Sequence, residues 1–269
     1  MSKELTLSEI QKCSLDVLLE FKKICDENNF KFYLTYGTLI GAARHSGFIP
    51  WDDDIDVWMP RRDYELFLNY CHEHFKQLGN YRLFHFSNTN NYPYCIARFS
   101  DTNFYTEYKG VKNYGLGSFI DLYPLDAIDE NDKRFYFKQK RMIKKAHSMS
   151  SSYQKGIKGI VLKLYYCTFL FFSFSFTRKN YLKRIDKRAQ KFNDNDNVET
   201  VAVSTWEINR ILLKNDIVSI DEKKLFFEGY EMPVPREYDK VLNQLYGDYM
   251  KLPPEEERIN HHFYKMYKK

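Results

Sequence analysis

The run Trp51-Asp52-Asp53-Asp54-Ile55-Asp56-Val57-Trp58 places four acids in five positions and interleaves them with apolar residues. Ile55, Val57 and Met59 alternate with Asp54, Asp56 and Trp58, which is the period of a β-strand. Residues i and i+2 of a strand share a face, so Asp54 and Asp56 are expected to point the same way from a half-buried sheet. Two carboxylates held that close repel each other unless a cation lies between them. Hard oxygen donors of this kind select Mg2+ or Mn2+. Upstream, Gly37-Thr38 ends one apolar stretch and opens a helical one. A helix N-terminus preceded by glycine offers backbone N–H groups to a phosphate. Arg44, one or two turns on, can add a charged fork. Asp121, flanked by Ile120 and Leu122, can complete a metal set or accept a proton from an attacking hydroxyl. Asp52, two residues before Asp54, is assigned to the site, whereas Asp53 reads as structural. Arg98 is a further candidate for phosphate. Together these residues suit phosphoryl transfer.

The elements that must position them follow from local pattern. Thr6-Leu7-Ser8-Glu9 fits a capping box, and the helical spacing after it predicts a helix to about Asn28. Phe32 to Tyr36 reads as a strand, with a short helix starting at Leu39. The second strand is expected over Asp54 to Met59, stopped by Pro60, with a helix from Arg61 to Phe75. Short strands follow near Tyr81–Ser87, Cys95–Asp101, Asn103–Tyr108 and Phe119–Tyr123. Thr200–Trp206 reads as a strand, Phe226–Gly229 with Met232–Val234 as a hairpin-like passage, and Pro235–Tyr249 as a helix. The chain ends in a Pro/Glu-rich stretch and His261-His262, for which contact with a nucleotide or a phosphate is weighed against a frayed, solvated end. The sum is α+β with a mixed sheet, not a regular βαβ series.

The bulk composition narrows the classes. An apolar content of 43% over 269 residues supports a real core. The five cysteines are odd in number and scattered, with no C-x-x-C pair, which predicts a reduced, cytosolic chain without structural zinc. The polar start predicts no signal peptide. From Lys133 to Lys191 there are 17 Lys or Arg and one acid, Asp186, a local charge of +16. The other 24 bases and 35 acids leave −11. An acidic body with a strongly basic insert points to a polyanionic partner. Within the insert, Ile160 to Phe176 is rich in aromatic residues. It falls short of the roughly 20 apolar residues of a membrane span and is broken by Lys163. It reads as a segment lying on an anionic membrane surface; the bland alternative is a helix covering the core. Nucleic acid is not expected as a partner, because the acids are central and the aromatics are blocked together.

Tyr36-Gly37-Thr38-Leu39-Ile40-Gly41-Ala42-Ala43-Arg44, then Gly47-Phe48-Ile49-Pro50-Trp51-Asp52-Asp53-Asp54-Ile55-Asp56, resembles the signature of the LicD family. That family is related to the fukutin proteins and belongs to the nucleotidyltransferase-fold superfamily. The likeness extends to Phe119–Asp126, Glu228-Gly229, Tyr246-Gly247-Asp248-Tyr249, Pro253-Pro254 and His261-His262, and skips the basic insert. It implies a nucleotidyltransferase-like core over 1–132, a basic helical insert at 133–195 and a C-terminal part completing the core over 196–269. It also implies transfer of phosphocholine, or a similar phospho-alcohol, from CDP-choline or a related CDP-alcohol. The acceptor would be a sugar hydroxyl of a cell-surface glycan, such as teichoic acid or lipopolysaccharide, or of its lipid-linked precursor, and CMP would leave. Asp54 and Asp56 correspond to the metal pair. Asp121 is the choice for third carboxylate and Asp126 the fallback. Gly37-Thr38 corresponds to the phosphate turn, with Thr38 in place of the usual Ser and a longer gap to the acids. Tyr36, Arg44, Asp52, Arg98 and His261 are assigned to the nucleotide and its phosphates. The expected location is cytoplasmic, peripheral at the inner face of the plasma membrane. Two rival readings are a glycosyltransferase with a D-x-D metal site and a non-catalytic membrane-surface binding protein.

Overall fold

Thr6 opens the first helix. Its hydroxyl accepts from the Glu9 N–H at 3.3 Å, and the Glu9 carboxylate accepts from the Thr6 N–H at 2.7 Å. This reciprocal cap fixes the start of α1 (Leu7–Asn28), whose stripe of Val17, Leu18, Phe21, Ile24 and Cys25 is buried. The computed structural model describes residues 3–108, 114–150, 157–218, 222–259 and 264–269. The chain continues through β1 (Tyr33–Leu34), α2 (Tyr36–His45), β2 (Asp56–Pro60), α3 (Arg61–Glu73), β3 (Tyr81–Phe84), β4 (Ala97–Asp101), β5 (Phe104–Tyr108) and β6 (Ser118–Ala127). Three helices follow: α4 (Lys133–Ser150), α5 (Ile157–Phe172) and α6 (Arg178–Ala189). Then come β7 (Thr200–Val203), β8 (Glu207–Leu213), α7 (Lys214–Ile217), β9 (Lys223–Phe227), β10 (Tyr230–Val234), α8 (Tyr238–Tyr246) and β11 (Tyr264–Lys268).

The central sheet runs β1-β2-β6-β4-β3, with β7 on the far end of β6 and β8 beside β7. β2 and β6 are parallel and the other described pairs antiparallel, so the sheet is mixed and the class α+β. One face carries Ile55, Val57, Met59, Leu122 and Phe99 against Phe21 of α1 and Phe67 of α3. The other carries Trp58 and Tyr123 in one cluster and Phe119 in another. That alternation is the period of two read along β2 and β6.

β6 runs four residues past the expected end at Tyr123 because Pro124 does it no harm. The Asp121 N–H is donated to Ile55 O, just before β2, so by alternation residue 124 would donate toward the opposite edge. β4 covers that edge from 118 to 122 and β7 from 126 to 127, which leaves a gap at 124. A missing donor there breaks no ladder bond. β2 begins at Asp56, two residues later than expected, and α2 begins at Tyr36, three residues earlier. β8 and β11 carry no clear pattern in sequence. β11 pairs with β5, so residues 264–268 are a strand and not a frayed end.

The insert helices pack Phe135, Met142, Leu170, Tyr181 and Ile185 under the Phe84 and Phe119 side of the sheet. A buried ion network fastens them. Arg61 donates to both oxygens of Asp126 at 2.8 and 2.7 Å and to Asp186 of α6 at 2.8 Å. Asp186, the one acid of residues 133–191, thus faces the core. Asp126, the fallback third carboxylate, is fully buried in this pair, five residues along β6 from Asp121 and on the opposite face. It is no part of the acid site. Among the described residues, no helix is long and apolar enough to cross a membrane. Arg61→Ala strands Asp126 as a buried charge and should cost about 3–5 kcal/mol. Urea unfolding measures that loss, and a cost under ~1 kcal/mol would show that the network does not hold the insert.

Candidate active site

Asp56 and Asp121 are paired in register on the parallel strands β2 and β6. Arg98 of β4 is paired in register with Asp121 from the other side. In-register neighbours share a face about 5 Å apart, so three strands present the row Asp56, Asp121, Arg98. The next row on that face is aromatic: Tyr33, Trp58 and Tyr123. Tyr36 stands edge-on to Trp58 at 5.5 Å and to Tyr123 at 5.3 Å. The carboxylates therefore rest on a floor of buried rings.

The first turn of α2 is stitched to the acid strand. The Thr35 N–H donates to Asp56 O at 3.1 Å, and the Asp56 N–H donates to the Thr38 hydroxyl at 2.9 Å. Thr38 thus positions Asp56 through its side chain. The first intrahelical bond of α2 is donated by Leu39 to Thr35 O, so the N–H groups of Tyr36, Gly37 and Thr38 have no partner within the helix. A Cβ on Gly37 would lie 2.5 Å from Asp52 Oδ2. The absence of a side chain lets the Asp52 carboxylate approach the positive end of α2. The loop between α2 and the acids is clamped from β9–β10: the Glu228 N–H donates to Ser46 O at 2.9 Å and its carboxylate accepts from the Phe48 N–H at 3.0 Å. Glu228 does this from a left-handed backbone, φ 51°.

Arg98 has a different place from the one expected of a phosphate ligand. It donates to Asp121 at 2.5 and 3.3 Å and to the hydroxyls of Tyr108 and Tyr114 at 3.2 and 3.1 Å. Its guanidinium also lies 4.6 Å from the Tyr94 ring centre and 4.4 Å from that of Phe119. Burial opposes its charge, but Asp121 and the tyrosines outweigh that and hold it protonated. Arg44 likewise turns away from the Gly37 turn. It sits in the last turn of α2 and donates to Tyr249 O at 2.7 Å, because the C-terminal segment packs against that end. His261 lies outside the described residues.

Two sequence-silent residues join the site. The Tyr123 hydroxyl lies beside the Asp56 carboxylate and favours its charged form. Arg210 of β8 lies 5.3 Å over the Tyr36 ring and 5.1 Å over that of Tyr246, donates to the Tyr246 hydroxyl at 3.2 Å and pairs with Glu207 at 3.1 Å. It reaches the α2 turn only through the return of β7–β8 to the sheet, which nothing local announces.

Burial pushes the Asp54 carboxyl well above the usual range, with Asp56 the largest charge acting on it and Asp52, Asp53 and Asp121 adding to it. Burial, then Asp121 and Asp52, push Asp56 up in the same way. Asp52, Asp53 and Asp54 can bring one oxygen each to within 4.8 Å of one another. Asp56 Oδ1 is buried and accepts no hydrogen bond among the described residues. Three converging carboxylates, and next to them on the chain a buried carboxylate oxygen without a hydrogen bond, have the hard-donor chemistry of a divalent cation site. Asp54 belongs to the 52–54 group and feels the charge of Asp56, which lies outside that group.

A family model described as "LicD/FKTN/FKRP, nucleotidyltransferase domain" matches residues 29–176. The chain belongs to the LicD family. It is 31% identical over 280 residues to the lipopolysaccharide cholinephosphotransferase LicD of Haemophilus influenzae, covering 98% of this chain and 99% of that one. It is also 34% identical over 131 residues to an uncharacterised protein of Rickettsia typhi, covering 48% of this chain and 40% of that one. The LicD family match spans β1 to α5 and so contains the acid row, the α2 turn and Arg98.

A carboxyl whose folded pKa lies above its ordinary value of 3.8 gives stability that is complete below that value and lost as pH rises through the folded one. Asp56→Asn removes that loss. The variant should melt above the wild type in chelator at neutral pH, by about 2–4 °C for each ~1 kcal/mol relieved. The gain should vanish at acid pH; calorimetry against pH reads it, and an equal or lower melting point at neutral pH would contradict it. Arg98→Met should cost about 3–5 kcal/mol because it leaves Asp121 unpaired. Adding Asp121→Asn should recover part of that loss in a double-mutant cycle, and strictly additive costs would show the two are not coupled.

Proposed function

We propose that this LicD-family protein is a metal-dependent phosphotransferase. It moves phosphocholine, or a similar phospho-alcohol, from a CDP-linked donor to a sugar hydroxyl of a cell-surface glycan or its lipid-linked precursor, and releases CMP. The observation that carries this reading is the register of Asp56 with Asp121 beside the stitched N-terminal turn of α2. The Haemophilus influenzae relative, matched over nearly its whole length, is named as a lipopolysaccharide cholinephosphotransferase, which supports the headgroup and the glycan. That match also favours phosphoryl transfer over a D-x-D glycosyltransferase. The reaction is placed in the cytoplasm, at an anionic membrane surface where lipid-linked sugars are met.

Mg2+ (or Mn2+), held by Asp54 and Asp56 with Asp121 and Asp52 beside them, would supply the positive charge that lets a diphosphate sit against carboxylates. The backbone N–H groups at the start of α2 face the phosphates with the positive end of the helix. Arg210 adds a cation beside that turn. The acceptor hydroxyl attacks the choline-bearing phosphorus in line. A new P–O bond forms to the sugar, the bond to the bridging oxygen breaks, and CMP leaves with that electron pair. Asp121 takes the hydroxyl proton while Arg98 keeps its carboxylate oriented. A loose phosphoryl-transfer transition state asks for positioning more than for a strong base, which suits a carboxylate paired with Arg98.

Asp54→Ala and Asp56→Ala should each lower CMP release from CDP-choline by about a thousandfold or more while circular dichroism stays unchanged. EDTA should do the same to the wild type, and added Mg2+ should restore turnover. Parallel assays with CDP-ethanolamine, CDP-ribitol and CDP-glycerol identify the headgroup. Near-normal turnover in either variant would refute the reading.

A further inference from the structure

α5 carries large apolar residues on its outward as well as its inward side, interrupted by Lys163, and the protein covers only the inward one. Its inward residues Tyr166, Phe169 and Leu170 pack into the cluster that holds Phe119 and the other insert helices. Its outward residues Ile160, Val161, Leu164, Phe171 and Phe172 are exposed, Phe172 at 73%. A helix that is apolar all round belongs in a core or against lipid. At 16 residues α5 is about 24 Å long, short of the ~30 Å of a bilayer's hydrocarbon.

The turn after α5 continues the same surface. Phe174, 81% exposed, and Phe176, 65% exposed, both have left-handed backbone, φ 53° and 56°. Residues with a Cβ avoid that region unless their surroundings impose it. Here the buried Ser175 imposes it: its N–H donates to Leu170 O at 3.0 Å, and its hydroxyl accepts from Arg184 at 3.0 Å. Arg184 also donates to Ser173 O. The turn is thus built so that a small polar residue points in and two large rings point out.

Charge says what covers the surface. Lys145 donates to the Tyr165 hydroxyl at 2.8 Å, Lys163 is exposed on α5 itself, Lys179 and Lys183 are exposed on α6, and Arg184 is bonded into the turn. The one acid of residues 133–191 is Asp186, turned inward onto Arg61. A protein partner of mixed charge would face cations with no acids among them; an anionic headgroup layer over hydrocarbon complements both the rings and the cations.

We infer that α5 and the 173–176 turn form a foot that lies in the surface of an anionic lipid bilayer, rings in the acyl boundary and lysines at the headgroups. The foot deepens the membrane-surface part of the reading above and is independent of its chemistry. Vesicle binding can fail while turnover on a soluble acceptor persists, and turnover can fail while vesicle binding persists.

The full chain should co-sediment with vesicles of phosphatidylcholine mixed with phosphatidylglycerol. It should bind phosphatidylcholine alone weakly and leave the mixed vesicles as salt rises. Phe172→Glu with Phe174→Glu should weaken binding by about a hundredfold, the scale of withdrawing two phenylalanines from an apolar phase. Because both side chains already face solvent, melting temperature and CMP release from CDP-choline should not change. Phe174→Gly, which removes a ring and relieves the left-handed strain, should weaken binding without loss of stability. Equal sedimentation of wild type and variants would overturn the proposal. So would failure of the wild type to bind either vesicle, or a wild-type dimer that becomes monomeric in the variants without any lipid binding.

Discussion

Like charges packed out of water govern this structure. Asp52, Asp54, Asp56 and Asp121 act on one another at the start of β2, and three of them are each met by a different device. Asp121 has the guanidinium of Arg98. Asp52 lies at the positive end of α2, admitted by Gly37. Asp56 has the Tyr123 hydroxyl nearby, favouring its charge, and the Thr38 hydroxyl under its N–H. These devices fall short of full compensation, since burial and mutual repulsion still push Asp54 and Asp56 upward. A fold optimised for stability alone would not hold such charges together. The strain is concentrated at one place, and the surrounding hydrogen bonds keep that place rigid.

The insert obeys the same logic with the sign reversed. Most of its lysines are exposed, and Asp186 faces in, where Arg61 joins it to Asp126. That ion pair occupies the sheet face opposite Asp121, so the fastening of the insert and the acid row do not compete for partners. The second core cluster runs from α5 through Phe119 to the Arg98 enclosure. One continuous apolar body therefore joins the exposed aromatic foot to the acid site.

What the sequence displayed was whatever rests on short-range period. The alternation of Asp56 and Trp58 with Val57 and Met59, the capping box at Thr6 and the helix of Arg61 to Glu73 are each set within a few residues, and each is present, whereas Asp54 falls outside the strand. Boundaries slipped where a distant strand decides them. β2 starts at Asp56 because pairing with β6 starts there, and β6 passes Pro124 because a gap between β4 and β7 tolerates it. The partners of Arg98, Arg44 and Arg210 were illegible for the same reason. An arginine's spacing in sequence says nothing about which tyrosine or carbonyl the tertiary fold brings to it. Arg98 and Arg44 looked available for phosphate and are engaged by protein; Arg210 had no visible motif and lies beside the α2 turn.

That exchange of arginines bears on how an anion could approach. A diphosphate brought to this patch meets several carboxylates in a low-dielectric setting, where repulsion at contact is large. Arg98 is already balanced by Asp121, so moving it onto a phosphate would leave Asp121 uncompensated. Arg44 lies at the wrong end of α2. The protein's remaining attraction comes from the N–H groups of the α2 turn and from Arg210, itself paired with Glu207. Partial charges from one helix terminus amount to about half an elementary charge, which cannot offset the acids. The imbalance argues for a divalent cation on the unpaired oxygen of Asp56 as a condition for donor binding. On this electrostatic ground, metal and nucleotide would bind cooperatively: each removes the repulsion that opposes the other.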